Sequence, residues 1–346
     1  MTKIALIGFG TVGQGMARLM RDKAALLRTR YGFEGQIVAA VTGSRGMVYH
    51  PDGLDIDALL AASTRTLHQY PQVPGLERDW DALRLAQESS ADIIVEASPS
   101  NLKTGQPALD VCHAAFDAGK HVVLANKGPL VAAYGDLTAR ADAAGVALHY
   151  EATIMAGTPA LRLAQQALMG STIKSVRGIL NGTTNFILTQ MEGGKSYADA
   201  LGEAQALGYA ESDPGADVDG WDTATKAVIL SAAVFDAPLS LDDLPVTGIS
   251  GITLADVQAA QAAGERWKLV AEVTPQGAKV APIRLPLSDP MAHINGATNA
   301  ITYHTDTLGD VSLVGPGAGS IETGYALLSD VLAITTGQRV KLSALG

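Results

Sequence analysis

The sequence predicts an α/β protein whose N-terminal half forms a doubly wound parallel sheet and whose C-terminal half is an α+β domain with an open, mostly antiparallel sheet. Two observations lead to this prediction. Up to residue 152, short apolar strands alternate with helical patterns, as in a parallel sheet with helices on both faces. From residue 171, segments rich in Ile and Val and separated by short turns are typical of antiparallel strands. A chain of 346 residues is long enough for two such domains.

The first strand and helix carry a glycine pattern that predicts a dinucleotide site. From Lys3 the chain reads KIALIGFGTVGQG, so an apolar run leads directly into Gly8, Gly10 and Gly13 and then into a helical pattern. In this order Gly8 makes a tight turn, Gly10 lets a pyrophosphate approach the backbone, and Gly13 lets the helix and strand pack closely. The free N–H groups at the helix start attract phosphates. The pattern therefore predicts a Rossmann-type domain, and a glycine turn without a ligand is the alternative.

The second strand, at residues 36–42, ends without an acidic residue. In many NAD enzymes an Asp or Glu at this position binds the ribose hydroxyls. Here the tip reads Thr42-Gly43-Ser44-Arg45, and an arginine there suits the 2′-phosphate of NADP. We therefore predict NADP as the cofactor, with NAD as the second candidate. A solvated loop arginine is the structural alternative.

Two later strands end in polar residues at the edge where ligands bind to such sheets. The strand at 91–98 ends in Ser98-Pro99-Ser100-Asn101, and the strand in 120–130 carries Lys127 at its tip. A lysine in this crevice is a candidate for chemistry, and an exposed loop lysine is the alternative. Residues 46–90, which lie between the second strand and the strand at 91–98, are predicted to be an inserted connection with helices.

An acidic segment precedes a helix in the C-terminal half. Pro214, Gly215 and Gly220 indicate a loop, and a helix is predicted from Trp221, with Asp219 as its N-cap. The acidic residues of the segment are Glu211, Asp213, Asp217, Asp219 and Asp222. Asp222 and Lys226 are four residues apart and share a helix face. The apolar run AVILSAAVF after Lys226 predicts a buried helix, so the pair is predicted to be a buried functional site and not an exposed ion pair.

A second glycine loop near the C-terminus precedes an apolar helix that is predicted from about Glu322. The loop contains Gly315, Gly317 and Gly319. Its N–H groups could bind the cofactor or the substrate, or the loop could be a packing turn, since glycine serves both uses.

The composition excludes several classes of protein. The chain has 25 basic and 35 acidic residues and a net charge of −10, which disfavours a nucleic-acid surface. Its one cysteine, Cys112, cannot form an internal disulfide and is predicted to be a buried structural thiol. No apolar run reaches the roughly 20 residues that span a bilayer, and no signal peptide precedes Ile4. We expect a soluble cytoplasmic protein with no membrane partner.

These segments together resemble the homoserine dehydrogenase family over nearly the whole chain. The resemblance rests on GFGTVGQG at the start, ANKGPLV at 125–131, HYEATIMAGTP at 149–159, ILNGTTNFIL at 179–188, EAQALGYAESDPGADVDGWDTATK at 203–226 and GPGAG at 315–319. It implies NAD(P)-dependent interconversion of L-homoserine and L-aspartate 4-semialdehyde, in threonine, methionine and isoleucine biosynthesis. It also implies the short form of the family, without a regulatory ACT domain or a fused aspartokinase.

The resemblance implies a division of the chain and a homodimer that acts on a small-molecule substrate. The implied segments are a dinucleotide-binding domain at 1–150, a dimerisation region at 151–161 and 292–322, a catalytic substrate domain at 162–291, and a C-terminal helix at 323–346 that returns to the dinucleotide-binding domain.

The resemblance also implies roles for individual residues. The implied catalytic residues are Lys226, Lys127 and Asp222, and the implied substrate-binding residues are Glu211, Asp217, Gly182 and Thr183. Cofactor contacts are implied at Gly10, Thr11, Val12, Ser98, Lys127 and Gly317, and the glycine turn and strand tip add Gly8, Phe9, Gly13 and Arg45. A monovalent cation such as sodium is implied on the main-chain oxygens of Glu151, Ile154, Ala156 and Thr158.

Two other functions are compatible with the same sequence features. One is a related oxidoreductase that uses the same lysine chemistry on another amino-alcohol or amino-aldehyde. The other is an NADP-binding sensor without turnover. The combination of Lys127, Glu211, Asp222 and Lys226 disfavours the sensor, because a scaffold has no need for buried charge.

Overall fold

The computed structural model describes residues 1–337 and divides the chain into two units. Unit 1 comprises Met1–Gly157 together with the chain from Gly319, and unit 2 comprises Thr158–Ala318. The dimerisation role of 151–161 and 292–322 and the substrate role of 162–291 stay predictions. The part of the predicted C-terminal segment 323–346 that follows Gly337 lies outside the described residues.

The strands form where apolar or β-branched residues run between turn-forming residues. In unit 1 they are β1 (Thr2–Ile7), β2 (Gly35–Thr42), β3 (Gly46–Tyr49), β4 (Ile93–Glu96), β5 (His121–Leu124) and β6 (Leu148–His149). In unit 2 they are β7 (Ile173–Ile179), β8 (Glu265–Thr274), β9 (Gly277–Pro286), β10 (Thr298–Thr305) and β11 (Gly309–Pro316).

The helices alternate with the strands in unit 1 and precede most of the strands in unit 2. In chain order they are α1 (Thr11–Asp22), α2 (Ala24–Tyr31), α3 (Ile56–Ser63), α4 (Ala82–Glu88), α5 (Ala108–Asp117), α6 (Gly128–Ala144), α7 (Ala152–Met155), α8 (Ala160–Arg162), α9 (Gly182–Glu192), α10 (Tyr197–Ala206), α11 (Gly215–Val218), α12 (Trp221–Phe235), α13 (Leu254–Ala262) and α14 (Ser320–Thr335). Of these, α8 to α13 belong to unit 2.

The sheet of unit 1 confirms the predicted doubly wound arrangement. Its strand order is β3-β2-β1-β4-β5-β6, and every pair except β2–β3 is parallel. The sequence prediction missed β3, which lies in the connection expected to be helical. This strand is only four residues long and pairs antiparallel with β2 through a tight turn at Gly46, so its pattern resembles that of a loop.

The sheet of unit 2 confirms the predicted antiparallel arrangement. Its order is β11-β10-β7-β8-β9, with all four pairings antiparallel. The hairpin between β8 and β9 turns at residues 275–276. Helices α9, α12 and α13 pack against β8 and cover the central part of this sheet.

Helix α14 packs closely on α1 because glycines remove the side chains from their crossing. A Cβ atom built at Gly15 would lie 2.0 Å from the carbonyl oxygen of Ser320, and one built at Gly324 would lie 2.4 Å from the backbone nitrogen of Met16. The hydroxyl of Ser320 donates to the carbonyl of Thr11 at 2.7 Å. The last described helix is therefore an integral part of unit 1.

Two ionisable side chains in unit 1 are buried for structural reasons. Cys112 is fully buried in α5, as predicted, and burial raises the pKa of its thiol well above the ordinary value. The ammonium of Lys120 closes the end of α4 by donating to the carbonyls of Ala86 at 2.6 Å and Leu85 at 3.4 Å and to the hydroxyl of Ser89. Burial lowers the pKa of Lys120 to about 8.

The Lys120 pKa makes stability depend on pH in a defined direction. Above pH 8 the native state loses the Lys120 proton, whereas the unfolded chain keeps it up to its ordinary pKa of 10.5. The unfolded state therefore binds more protons in this window, and the free energy of unfolding rises with pH. We expect the wild type to gain stability relative to Lys120→Met between pH 8 and 10, by at most about 1.4 kcal/mol per pH unit, as measured by denaturant unfolding.

A matched control is Lys23→Met, which removes an exposed lysine of the same unit. Its stability difference from the wild type should stay constant over this pH range. A Lys120→Met difference that is equally constant would contradict the lowered pKa.

Candidate active site

The glycine turn between β1 and α1 combines two close packing contacts with one open position. Gly8 has φ of +101°, and a Cβ atom built there would lie 2.4 Å from the backbone of Ala97. A Cβ at Gly13 would lie 2.6 Å from the carbonyl oxygen of Gly8, whereas a Cβ at Gly10 would meet nothing within 4 Å. Gly10 is the N-cap of α1 and offers no side chain to its N–H groups. This arrangement fits a dinucleotide pyrophosphate, which would bind at the open helix N-terminus.

The remaining predicted residues of this turn contribute mainly backbone and packing. Phe9 is fully buried, and its carbonyl accepts hydrogen bonds from the side chains of Gln14 at 3.3 Å and Arg45 at 3.4 Å. Thr11 begins α1 and is exposed, and Val12 packs partly against the core of the unit. The turn is therefore fixed from inside while its outer face stays accessible.

Arg45 is held beside the glycine turn. Its guanidinium donates to the carbonyl of Ser63 at 2.7 Å as well as to that of Phe9, and its backbone N–H donates to the hydroxyl of Thr42 at 2.8 Å. These contacts place a fixed positive charge next to the tip of β2 and the start of α1. A solvated loop arginine, which was the structural alternative, would not make these contacts.

The tips of β4 and β5 are joined by a buried carboxyl group that the sequence analysis did not identify. Glu96 accepts hydrogen bonds from the backbone N–H of Ser98 at 2.8 Å, from the Ser98 hydroxyl and from the amide of Asn126 at 3.3 Å. Burial raises the pKa of Glu96. The adjacent Lys127 is the N-cap residue of α6, and its backbone N–H donates to the hydroxyl of Ser100 at 3.0 Å. The position of an acidic residue at the end of the apolar run IIVE was the available sequence signal.

In unit 2, Asn181 links the start of α9 to two carboxylates. Its side-chain oxygen caps the helix by accepting from the backbone N–H of Thr184 at 2.9 Å. Its amide nitrogen donates to Asp217 at 2.7 Å and to Asp222 at 3.0 Å. Asn181 belongs to the NGTTN segment but was not among the predicted site residues. Asn is a preferred N-cap residue, so its residue type alone does not indicate a functional role.

Helix α12 presents the predicted ion pair, in which Lys226 is buried and Asp222 is half-buried. The ammonium of Lys226 donates to Asp222 at 2.7 Å and to the carbonyl of Leu180 at 2.6 Å, and the Lys226 side chain is 7% exposed. The predicted cap was wrong, because the N-cap residue is Gly220, whose φ is +89°. The carboxylate of Asp219 instead accepts a hydrogen bond from Ser250 at 3.0 Å.

Three of the predicted substrate-binding residues lie next to this network. Burial raises the pKa of Asp217, the charge of Asp222 adds to this rise, and the hydrogen bond from Asn181 opposes it. The hydroxyl of Thr183 donates to the carbonyl of Tyr209 at 2.5 Å. Gly182 lies against the turn before β10, since a Cβ there would be 2.6 Å from the carbonyl oxygen of Ala297. Glu211 differs from these residues, because it lies on an exposed stretch before α11.

Gly317 has a packing reason to be glycine in unit 2. A Cβ atom there would lie 2.0 Å from the side-chain nitrogen of Asn299, which is fully buried on β10. Its predicted contact with the cofactor stays a prediction.

The predicted cation ligands follow β6. Glu151, Ile154 and Ala156 lie in or beside α7, and Ala156 has an unusual positive φ of +47°. Thr158 belongs to unit 2, where its hydroxyl donates to the carbonyl of Pro316 at 3.0 Å. Carbonyl oxygens suit a hard monovalent cation, and the site stays a prediction. Within residues 1–337, His, Cys, Asp and Glu form no group of three or more that could bind a metal.

Comparison with known proteins agrees with this geometry. Family models described as homoserine dehydrogenase, NAD binding domain, and as homoserine dehydrogenase match residues 8–151 and 159–332. The chain is 43% identical to the NAD(+)-dependent homoserine dehydrogenase of Pseudomonas canavaninivorans, with 96% of each chain covered. It is 39% identical to the homoserine dehydrogenase of Methanocaldococcus jannaschii, with 96% of this chain and 98% of that one covered. A hyperthermophilic archaeal homoserine dehydrogenase in complex with NADPH matches with a TM-score of 0.83 and 29% identity, over 97% of this chain and 98% of that one.

The fold, the glycine turn and these matches define an oxidoreductase that binds NAD(P) and acts on a CH–OH group. The chain belongs to the homoserine dehydrogenase family. The family resemblance and the enzyme class predicted from the sequence are therefore confirmed. Every helix within the described part of the chain is too short or too polar to cross a membrane.

The Asn181 bridge generates a prediction about pH. We expect Asn181→Ser to move the acidic limb of kcat/KM for the amino-acid substrate to higher pH, by about 0.5 to 1 unit. Serine can still cap α9, but it removes the amide donor that favours ionised Asp217, so the pKa of Asp217 rises further. The measurement is a pH–rate profile with thermal unfolding in parallel.

Ser196→Ala serves as the control, because it removes the N-cap of α10 without touching Asp217. It should lower stability and leave the acidic limb in place. An unchanged limb in Asn181→Ser would show that Asp217 does not govern substrate binding.

Proposed function

We propose that the chain catalyses the interconversion of L-homoserine and L-aspartate 4-semialdehyde, with Lys226 as the group that transfers the proton. The single observation that supports this proposal most strongly is the ion pair between the buried Lys226 and the half-buried Asp222. A buried ion pair seldom adds net stability, so its presence is better explained by chemistry. The proposed pathway role is threonine, methionine and isoleucine biosynthesis in the cytoplasm.

The acidic groups around this pair suit a substrate that carries an ammonium group. Asp217 is half-buried beside Asn181, and Glu211 lies on the exposed stretch that follows Tyr209. We assign the substrate ammonium to Asp217, because a carboxylate binds a cation more strongly where water is partly excluded. Glu211, which is exposed, is assigned to the same group by the resemblance. Gly182 and Thr183 would then line the substrate from the start of α9.

The proton step assigns complementary tasks to the two charged residues. When the aldehyde is reduced, a hydride is added to C4 and a proton to the C4 oxygen, so the product is the alcohol. The bound nicotinamide supplies this hydride and accepts it in the reverse direction. Lys226 donates the proton as an ammonium and polarises the carbonyl oxygen beforehand. Asp222 favours the charged form of Lys226, and Lys127 is assigned to the same step by resemblance.

The cofactor preference is proposed from Arg45. Its guanidinium is fixed beside the glycine turn, and the tip of β2 carries no carboxylate that would repel a phosphate. We therefore favour NADP, as in the archaeal relative that is described in complex with NADPH. NAD is the second candidate, because another relative is named as NAD(+)-dependent.

Two further proposals rest on the family resemblance alone. One is a homodimer formed through residues 151–161 and 292–322. The other is a sodium or similar ion on the main-chain oxygens of Glu151, Ile154, Ala156 and Thr158. Sedimentation of the purified chain would test the homodimer. Activity after exhaustive removal of sodium would test the bound ion.

Replacing Lys226 tests the proposed reaction. We expect Lys226→Met to lower kcat for reduction of aspartate 4-semialdehyde by about 10² to 10⁴, because a positioned general acid contributes this much. The loss should appear in NADPH absorbance assays, while NADPH binding to the folded protein persists. Lys174→Met, which changes an exposed lysine of β7, should keep wild-type turnover. Near-normal turnover of folded Lys226→Met would rule out this assignment.

The same assay separates the two alternative functions. A homoserine analogue without the amine should inhibit poorly if Asp217 and Glu211 bind the ammonium. Strong inhibition by this analogue would favour the related oxidoreductase on another amino-alcohol or amino-aldehyde. Folded wild-type protein that binds NADPH and turns over no aldehyde would favour the sensor.

Replacing Arg45 tests the cofactor proposal. We expect Arg45→Ala to reduce the ratio of kcat/KM for NADPH to that for NADH by about tenfold or more, since a charge-assisted contact to the 2′-phosphate is lost. Arg30→Ala, which changes an exposed arginine of α2, should leave the ratio unchanged. An unchanged ratio in Arg45→Ala would remove the argument for NADP.

A further inference from the structure

Lys268 is a fully buried lysine that the proposed reaction does not use. It lies on β8, and none of its side chain is exposed to solvent. Removing an ammonium from water is costly unless hydrogen-bond acceptors replace the lost water. The position of those acceptors therefore indicates what this lysine holds together.

The ammonium of Lys268 joins α9 to the turn before β10. It donates to the carbonyl of Ile294 at 2.6 Å, to the side-chain oxygen of Asn185 at 3.1 Å and to that of Asn295 at 3.3 Å. Asn185 lies in the first turns of α9, and the other two acceptors belong to residues 294–298, which we call the 294–298 turn. An ammonium has three N–H donors, and each has one acceptor here.

Further contacts fasten the same turn to α9. The amide nitrogen of Asn185 donates to the carbonyls of Ile294 at 3.1 Å and Thr298 at 3.0 Å. The backbone N–H of Gly296 donates to the hydroxyl of Thr189, one helical turn further along α9, at 3.1 Å. Lys268 and Asn185 are the buried centre of this attachment.

The turn lies directly against the start of α9, where the site begins. The carbonyl oxygen of Ala297 would be 2.6 Å from a Cβ at Gly182, so it packs on the backbone of that residue. Gly182 follows Asn181, whose amide bridges Asp217 and Asp222. A displacement of the 294–298 turn would therefore act on the backbone that places Asn181 and Thr183.

We propose that Lys268 is a positioning residue for substrate binding, because its ammonium holds the 294–298 turn against the first residues of α9. This role rests on the proposed function of the site. Lys268 does not touch the substrate. It fixes Gly182 and Thr183, which would line the substrate, and it keeps Asn181 aligned with the two carboxylates.

The charge state of Lys268 gives the proposal a pH signature. Burial lowers the pKa of Lys268 to about 8, with Glu192 opposing and Arg266 adding to this shift. The charged groups of the two strands paired with β8 have their own contacts, since Arg177 and Lys279 lie beside Glu272 and Arg284 beside Glu265, while Lys174 is exposed. Those of the helices packed on β8 do so as well: Lys226 with Asp222, Asp256 with Thr253, and His293 with Leu287. Because burial favours the neutral amine, the attached state binds fewer protons than a state in which Lys268 reaches water. The attachment therefore strengthens as pH rises above 8, although the neutral amine keeps only two N–H donors.

The test compares Lys268→Met with the wild type by steady-state kinetics. We expect the KM for aspartate 4-semialdehyde to rise about tenfold, because three acceptors lose their donor, while the KM for NADPH stays within about twofold. The fall of substrate KM that is expected for the wild-type protein as pH passes about 8 should be absent from the variant, because the variant lacks the Lys268 amine. Asn295→Ala, in the exposed turn, should give a smaller increase of about threefold, and the double variant should be no worse than Lys268→Met.

Lys120→Met is the matched control, because Lys120 is also buried and has a pKa lowered to about 8, but it closes α4 in unit 1. It should lose stability without a change in substrate KM. Substrate and cofactor KM values that rise equally in Lys268→Met, or a fall in Tm with no change in either KM, would overturn the positioning role.

Hydrogen exchange at residues 182–185 and 294–298 measures local opening of the attachment independently of turnover. We expect faster exchange there in folded Lys268→Met. If only Asn295→Ala folds well, exchange is measured in that variant instead. Unchanged exchange would contradict the proposal in either case. A wild type that fails to reduce the aldehyde would contradict the proposed function, while the exchange data would still decide whether Lys268 holds the turn.

Discussion

The ion pair between Lys226 and Asp222 constrains much of unit 2, because a buried charge requires fixed partners on every side. Lys226 also donates to the carbonyl of Leu180, and Asp222 also accepts from Asn181. Through these contacts α12 is tied to the end of β7 and to the start of α9. Loss of either charge would leave the other buried without its counter-ion, a change that typically costs about 3 to 5 kcal/mol. The proposed chemistry and the packing of this region therefore depend on the same two side chains.

In unit 1 the corresponding constraint comes from glycine residues, because close backbone contacts leave no space for side chains. Gly8 lies against Ala97 at the tip of β4, and Gly13 lies against Gly8 itself. The contacts bring the strand tips and the start of α1 together. Gly10 differs, because the space beside it is open. A glycine with a packing partner and a glycine without one thus have separate uses within the same short turn.

The sequence predicted the sheets and the ion pair well, because both follow from local rules. Strand alternation and the spacing of Asp222 and Lys226 need only the chain near each residue. It did not predict β3, the Gly220 cap or the roles of Asn181 and Glu96. Asn181 acts on carboxylates 36 and 41 residues away, and Glu96 acts on Asn126 of the next strand. Such long-range partners are set by the folded topology, and residue type alone does not specify them.

Three lysines are buried in the described part of the chain: Lys120, Lys226 and Lys268. Their hydrogen-bond partners, and not their burial, distinguish the roles of their charges. Lys120 meets only helix-end carbonyls and a hydroxyl, so it closes a helix. Lys268 meets neutral acceptors on two elements, so it fastens one to the other. Burial depresses its pKa, and the carboxylate of Glu192, 4.0 Å away, opposes that shift. Lys226 alone among these three has a carboxylate within 2.7 Å. That neighbour favours the charged ammonium, which is the form a proton donor to a carbonyl oxygen needs. The difference in partners is therefore the physical reason to place the chemistry at Lys226 and the support for it at Lys268.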